Sequence, residues 1–471
     1  MNRKQAFPVR PDAVALLEQL RAGQISSEDL VKECLAKVEA LQPSVNAATH
    51  IFKQEAIDLA QSLDQSGDKE LPLFGLPCTI KETFGIAGEE ITAGSIRMTP
   101  EQCTQDAEIV KRLKAAGAVV IARSNLPEFA MTGESTNLRF GRCNNPHDIS
   151  RVAGGSSGGE GALVGSGASV FGVGSDILGS IRIPAAFCGT VGFKPHSGAI
   201  DKTGTWPVVT GNTSNWLALG PLTRSVRDAR LIYNVVAQEP VANTAEAFKQ
   251  QIIPQGFPIK YRQSCIEMAV DAARKALEGS GVPMKNEPFS DISKLFLMMT
   301  KIVIDDFYND WIKGLSSPTA GKFSVIKECF SQLVGKPTID RGLLNWILLR
   351  PIKKIRNNTA RNKIVTSFSD AQKHYQNLLG DDRVIILPTL GLLAPKHKGF
   401  NRSSLLNPLV NGLITSHTLV NYLNLSAIAV PAWKFCDPKT GLPPSVSLIC
   451  APGSEAKLLA AAEIVETALN P

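Results

Sequence analysis

Between residues 153 and 195 the chain reads AGGSSGGEGALVGSGASVFGVGSDILGSIRIPAAFCGTVGFKP. Glycine this dense inside an apolar run is what most restricts the fold. Each glycine loses more backbone entropy on folding than any other residue, so such a run belongs where backbone must adopt dihedrals or close approaches that side chains forbid. Two of the clusters carry serines, 154–159 (GGSSGG) and 176–180 (DILGS), and an Ile-Arg-Ile-Pro turn follows the second. Hydroxyls set in such backbone, beside N–H groups that can converge on one spot, have the make-up of acyl-transfer equipment.

The surrounding chain reads as an α/β protein. An amphipathic helix is expected over 27–41, with Ser26 as its N-cap and Leu30, Leu35, Val38 and Leu41 as its apolar stripe. Residues 71–81 read as a turn leading into a short buried strand that ends at Lys81. A helix over 106–116 stops at Gly117 and is followed by a strand at 118–122. Residues 158–165 open a helix, and 170–174 form the next strand. Further strands are expected at 384–387, 427–430 and 446–449, and a closing helix at 457–469 with Ser454 as its cap. Helices alternating with apolar strands point to a large twisted mixed sheet covered by helices on both faces.

The chain has 471 residues, 44% apolar and 20% charged, and no low-complexity linker divides it. A single domain over 1–471 is therefore expected. Within it, residues 290–370 stand apart: 295–310 and 342–356 are apolar and helical in pattern, and look like an insertion that lines or covers something. The net charge of +7 is concentrated here. Arg341, Arg350, Lys353, Lys354, Arg356, Arg361 and Lys363 lie between 341 and 369, which contain no acid. One local basic patch argues against a nucleic-acid surface. Trp346, with Leu344, Ile347 and Leu348 beside Lys353, Lys354 and Arg356, has the make-up of an interfacial membrane anchor; it reads equally as a core helix with a solvated basic end. Neither a secretory signal nor a transmembrane run is expected. The nine cysteines lack metal spacing and the six histidines lie far apart, so neither metal nor cofactor is expected and a reducing, cytoplasmic setting is favoured.

Three residues carry the chemistry. Ser180 follows Ile177, Leu178 and Gly179, whose successive N–H groups could form an oxyanion hole. Ser156 follows Gly155; alone, it equally suits a helix N-cap or an anion-binding helix start. Lys81 ends a buried strand, where desolvation favours a neutral amine able to act as a base, although a lysine at a strand end can also snorkel outward. An α/β-hydrolase elbow at Gly155-x-Ser157-x-Gly159 lacks the preceding strand it needs.

Together these segments resemble the amidase signature family. The serine motif matches 154–160, and the family's Asp-x-Gly-Gly-Ser-[Ile/Val]-Arg-x-Pro pattern is matched from Asp176 to Pro184. Residues 75–82 resemble the family's lysine motif, 124–131 its Asn-x-Pro-Glu-Phe segment, and 220–224 also fit. The resemblance covers most of the chain outside about 240–380. It implies a catalytic Lys81, a bridging Ser156 in a cis peptide after Gly155, and Ser180 as nucleophile. Ile177, Leu178, Gly179, Ala130, Met131 and Thr132 are implied at the oxyanion and substrate site, with Ser157, Asp176 and Arg182 orienting the loops behind it. Two departures stand out. Leu178 replaces a family glycine and would be strained if the position requires φ > 0, while Ser445 and Ser447 stand where the family tends to have glycine and glutamine. Details such as 172–176 and 394–398 most resemble fatty acid amide hydrolases of the second type. The candidate partners are then a small hydrophobic amide, a peripheral membrane surface and a second copy of the chain. The rival expectations are the A-type glutaminase subunit of an amidotransferase, and a non-catalytic binding protein on the same scaffold.

Overall fold

A computed structural model describes residues 11–206, 208, 211–243, 246–256, 261–289, 292–397 and 419–471. Lys398, part of the 394–398 likeness, lies outside the described residues. An eleven-stranded mixed sheet runs through the molecule. Its strands are β1 (Ala48–Ile51), β2 (Pro77–Lys81), β3 (Val119–Ser124), β4 (Phe171–Asp176), β5 (Val191–Lys194), β6 (Ala218–Thr223), β7 (Gln250–Gln255), β8 (Met284–Pro288), β9 (Arg383–Pro388), β10 (Ser426–Pro431) and β11 (Ser445–Cys450). Their spatial order is β1-β3-β2-β4-β6-β5-β10-β11-β9-β7-β8. The trio β3-β2-β4 is parallel, as is β9-β7-β8, while the strands between them pair antiparallel.

The apolar strands are continuous because both faces of the sheet are covered. Successive side chains point to opposite faces. In β9, Val384 and Ile386 enter one core while Ile385 and Leu387 enter another; in β11, Val446 and Leu448 face the first and Ile449 the second. The first core is closed by Ser27–Val45, Val226–Val236, Ser264–Gly279 and Glu455–Leu469. The second is closed by Ile292–Leu315, Arg341–Leu348 and Asn358–Leu379.

The expected elements form, with some shifted ends. The helix capped by Ser26, whose hydroxyl accepts from the Asp29 amide, runs on through Pro43 to Val45. The helix expected from 106 begins at Glu108. Asp106 instead accepts from the Ala87 amide at 2.9 Å and pairs with Lys114. Ser454 stands at the N-cap of the last helix, but its side chain makes no cap bond, because its backbone is not extended there.

The insertion is helical as expected, but the anchor reading of Trp346 is not upheld. Trp346, Leu344 and Ile347 are buried, and only Leu348 of that group is exposed. Trp346 meets Trp311 edge-on, with ring centres 6.4 Å apart, because the neighbouring 24-residue helix covers that face. No described helix is long and apolar enough to cross a membrane.

Candidate active site

Lys81 is the last residue of a strand buried along its whole length between two parallel neighbours. The carboxyl ends of β2 and β4 therefore open on the same edge, where α/β sheets place their sites. The Lys81 side chain is fully buried, with Nζ 2.7 Å from Ser156 Oγ and 3.0 Å from Ser175 Oγ. Burial pulls its ammonium down to about 7, against the opposing charges of Asp176 and Glu160. A neutral amine can accept from one of these hydroxyls while donating to the other.

Ser156 is placed by its turn. The Gly155–Ser156 peptide is cis. A Cβ on Gly155 would lie 2.5 Å from the Thr132 carbonyl oxygen, so only glycine lets the 130–132 loop seat against this turn. Ser135 donates its hydroxyl to the Gly154 carbonyl at 2.9 Å and accepts from the Gly158 amide at 3.1 Å. The Ser157 amide donates to the Ser180 carbonyl at 3.1 Å, joining the two serine loops directly. Ser157, rather than Ser156, is the N-cap of Gly158–Gly165. The Ser180 side chain is half-buried, and its hydroxyl makes no hydrogen bond among the described residues.

The Ser180 loop is held from below. Asp176 accepts from the Gly179 amide at 2.7 Å and the Ile181 amide at 3.1 Å. Arg182 clamps the same carboxylate through Nε at 3.1 Å and Nη2 at 3.0 Å. Asn421 completes the cluster, accepting from Arg182 at 2.6 Å and donating to Asp176 Oδ1 at 2.9 Å. All three side chains are fully buried. Although burial alone would raise its pKa, Asp176 is held well below the usual carboxylate range by the Arg182 guanidinium, so it stays ionised.

Two expectations change here. The Gly179 N–H, expected among the oxyanion donors, already donates to Asp176. Leu178 is not strained: it lies outside the left-handed region, and Gly179 takes the positive φ of 101° instead. Leu178, Ile177 and Met131 pack, partly buried, against the second core. Strain falls elsewhere, at Phe129 and Ala130, with φ of 53° and 55°. Ser445 and Ser447 each lie 2.8 Å from the Thr389 hydroxyl, satisfying one another within the sheet.

Sequence reasoning missed Ser175, Glu160 and Asn421. Glu160 is fully buried and accepts from Thr79 at 2.5 Å. Burial lifts its carboxyl to about 7, opposed by the Thr79 hydroxyl and Lys81. The signal for it was a lone acid in the otherwise apolar segment GGEGALVG. Among the described residues no cluster of three or more His, Cys, Asp and Glu side chains is arranged to hold a metal.

A strand-end lysine hydrogen-bonded to a serine in a cis turn, beside a second serine on an ion-paired loop, defines a serine–lysine type of site on an α/β sheet. The "Amidase" family model matches residues 29–459, and the chain belongs to that family. It is 28% identical over 410 residues to fatty-acid amide hydrolase 2-B of Danio rerio, covering 82% of this chain and 77% of that one. It is also 38% identical over 224 residues to the A-type subunit of glutamyl-tRNA(Gln) amidotransferase from Nitratidesulfovibrio vulgaris (strain DP4), covering 47% of this chain and 45% of that one. The latter match thus spans about half of that relative's own length. Among solved structures, one titled "Crystal structure of amidase" superposes with a TM-score of 0.81 at 24% identity, covering 98% of this chain and all of the other.

Proposed function

We propose that the chain hydrolyses carboxamides through an acyl-enzyme on Ser180. One observation carries the reading: a fully buried lysine, brought down to about 7, lies 2.7 Å from a serine hydroxyl. Neutral Lys81 takes the Ser156 proton as Ser156 takes that of Ser180, and Ser180 Oγ attacks the amide carbonyl. Developing charge on the carbonyl oxygen would meet the amides of Ile177, Leu178 and Ser180, the donors left once Gly179 is bound to Asp176. Collapse breaks the C–N bond as the Lys81 proton returns through Ser156 to the leaving nitrogen. Water, deprotonated by the same relay, attacks the ester and releases the acid.

Ile177 and Leu178, just before Ser180 in the chain, and Met131 pack against the second core, which supports a hydrophobic acyl group. The likeness to a fatty-acid amide hydrolase points the same way. The amidotransferase reading rests on the partial match to the A-type amidotransferase chains; a glutamine site would need polar partners for the amino acid's own charges. The test is hydrolysis of a panel from glutamine through short aryl amides to long-chain acyl amides, with Ser180→Ala and Lys81→Ala alongside. Cleavage of the acyl amides by the parent chain alone supports the proposal. Glutaminase activity without acyl-amide cleavage favours the rival, and mutants matching the parent sink the triad.

A further inference from the structure

The helix Val325–Leu333 wears its hydrophobic residues outward. Ile326, Phe330 and Leu333 are 84%, 65% and 85% exposed, and their spacing puts them on one face. Val334, just past the helix end, is also exposed. Inside, Val325 and Cys329 touch the second core, and Glu328 is the buried side chain, accepting from the Thr338 amide at 3.1 Å and from Gln332 at 3.0 Å. Single exposed apolar residues are ordinary; a stripe of them on one helix face marks a contact surface.

Along the chain, the exposed charge that flanks the stripe has one sign. Between 321 and 341 the exposed charged residues are Lys322, Lys327, Lys336 and Arg341. Both acids in that stretch turn inward, Glu328 as above and Asp340 to the Gly342 amide at 2.7 Å. Beyond it come exposed Ile352, Lys354 and Arg356, and no acid precedes Asp370. A second copy of the chain docking through this face would set the same cations against one another across a two-fold axis. An anionic lipid surface meets both requirements, apolar depth for the stripe and negative charge for its flanks.

We propose that this face docks on an anionic lipid surface, with Ile326, Phe330, Leu333 and Val334 entering the headgroup–acyl boundary. The segment that carries the face is tied to the rest of the molecule at both ends. Before the helix, Arg97 donates to the carbonyls of Leu315 at 2.8 Å, Ala320 at 3.0 Å and Gly321 at 3.0 Å. After it, the Asp340 amide donates to Glu128 at 2.6 Å, at the start of the loop that seats against Gly155. Docking would hold that loop at a fixed distance from the lipid. The inference stands whether or not the chain cleaves amides.

The experiment is cosedimentation of the full chain with vesicles of phosphatidylcholine alone or mixed equally with phosphatidylglycerol. It is run at low and high salt, with hydrolysis of a short soluble aryl amide measured in parallel. Binding to the anionic vesicles, weakened by salt, is expected. The triple variant Ile326→Ser/Phe330→Ser/Leu333→Ser should lose about a hundredfold or more in partition. Lys322→Glu/Lys327→Glu/Lys336→Glu should lose about fivefold or more per lysine on anionic vesicles only. Neither variant should change aryl-amide hydrolysis or the melting temperature of the free chain. Absence of binding by the parent chain overturns the proposal. So does equal binding by the triple serine variant, or a dimer that this variant dissociates.

Discussion

The serine loops and the helical insertion are built on opposite principles. Around Lys81 and Asp176 the buried side chains are polar, and each is fixed by directional bonds: Lys81 to two hydroxyls, Asp176 to two amides, Arg182 and Asn421. In the insertion the buried side chains are apolar and aromatic, tied to the rest by a few staples such as Arg97 and Glu128. Directional bonds hold atoms to geometry but leave large penalties when one partner is lost. Apolar packing tolerates changes of shape if volume is kept. The first region suits chemistry that must not vary, and the second suits a wall or surface that can.

The sharpest separation of chemistry from stability is Ser180→Ala. It should lower kcat by about ten-thousandfold or more. The melting temperature should hardly move, since the hydroxyl has no structural hydrogen bond among the described residues; an unfolded variant would contradict this reading of the loop. Arg182→Ala leaves Asp176 buried with its charge unmatched. It should cost about 3–5 kcal/mol in denaturant unfolding, the penalty for a broken buried pair. Trp346→Ala should cost a similar amount, about 3–5 kcal/mol, but by opening a cavity. The contrast is in rescue: Trp346→Phe should recover much of the loss, whereas Arg182→Lys should not, because lysine cannot make the two-pronged clamp. Equal rescue of both would erase the proposed difference between the regions.

The smallest effect tests the charge beside Lys81. The kcat/KM profile should rise as pH passes through about 7, where Lys81 loses its proton. Where Glu160 is ionised, it holds that proton on Lys81. Glu160→Gln removes this pull, lowers the lysine pKa and should move the acid limb to lower pH by up to about one unit. An unmoved limb would show that the carboxyl is neutral throughout the working range.

The sequence was most readable where a local rule sufficed. Continuous apolar runs marked strands covered on both faces, and Ser26 marked a helix start. Lys81, Ser156 and Ser180 stood out because each was chemically odd in its setting: an amine ending a buried strand, and hydroxyls among glycines. Long-range partners left no such trace. Nothing near Asn421 announces that it meets Arg182, and Ser175 becomes informative only once β4 is laid beside β2. Trp346 misled for a related reason. Periodicity gives a helix an apolar face, but which neighbour covers that face is decided by packing, and here Ile292–Leu315 covers Trp346 while the stripe of Val325–Leu333 is left open.

The clamp beneath Ser180 also dictates an order of events during synthesis. Asn421 lies 239 residues beyond Arg182, so the hydrogen bond between them cannot close until that whole stretch has emerged. Until then, Arg182 and Asp176 lack the partner that completes their burial. A ribosome-bound chain arrested before Asn421 would hold every residue of the proposed relay and still be expected to lack a settled nucleophile loop. A settled nucleophile loop would then wait on a residue far downstream of the relay itself.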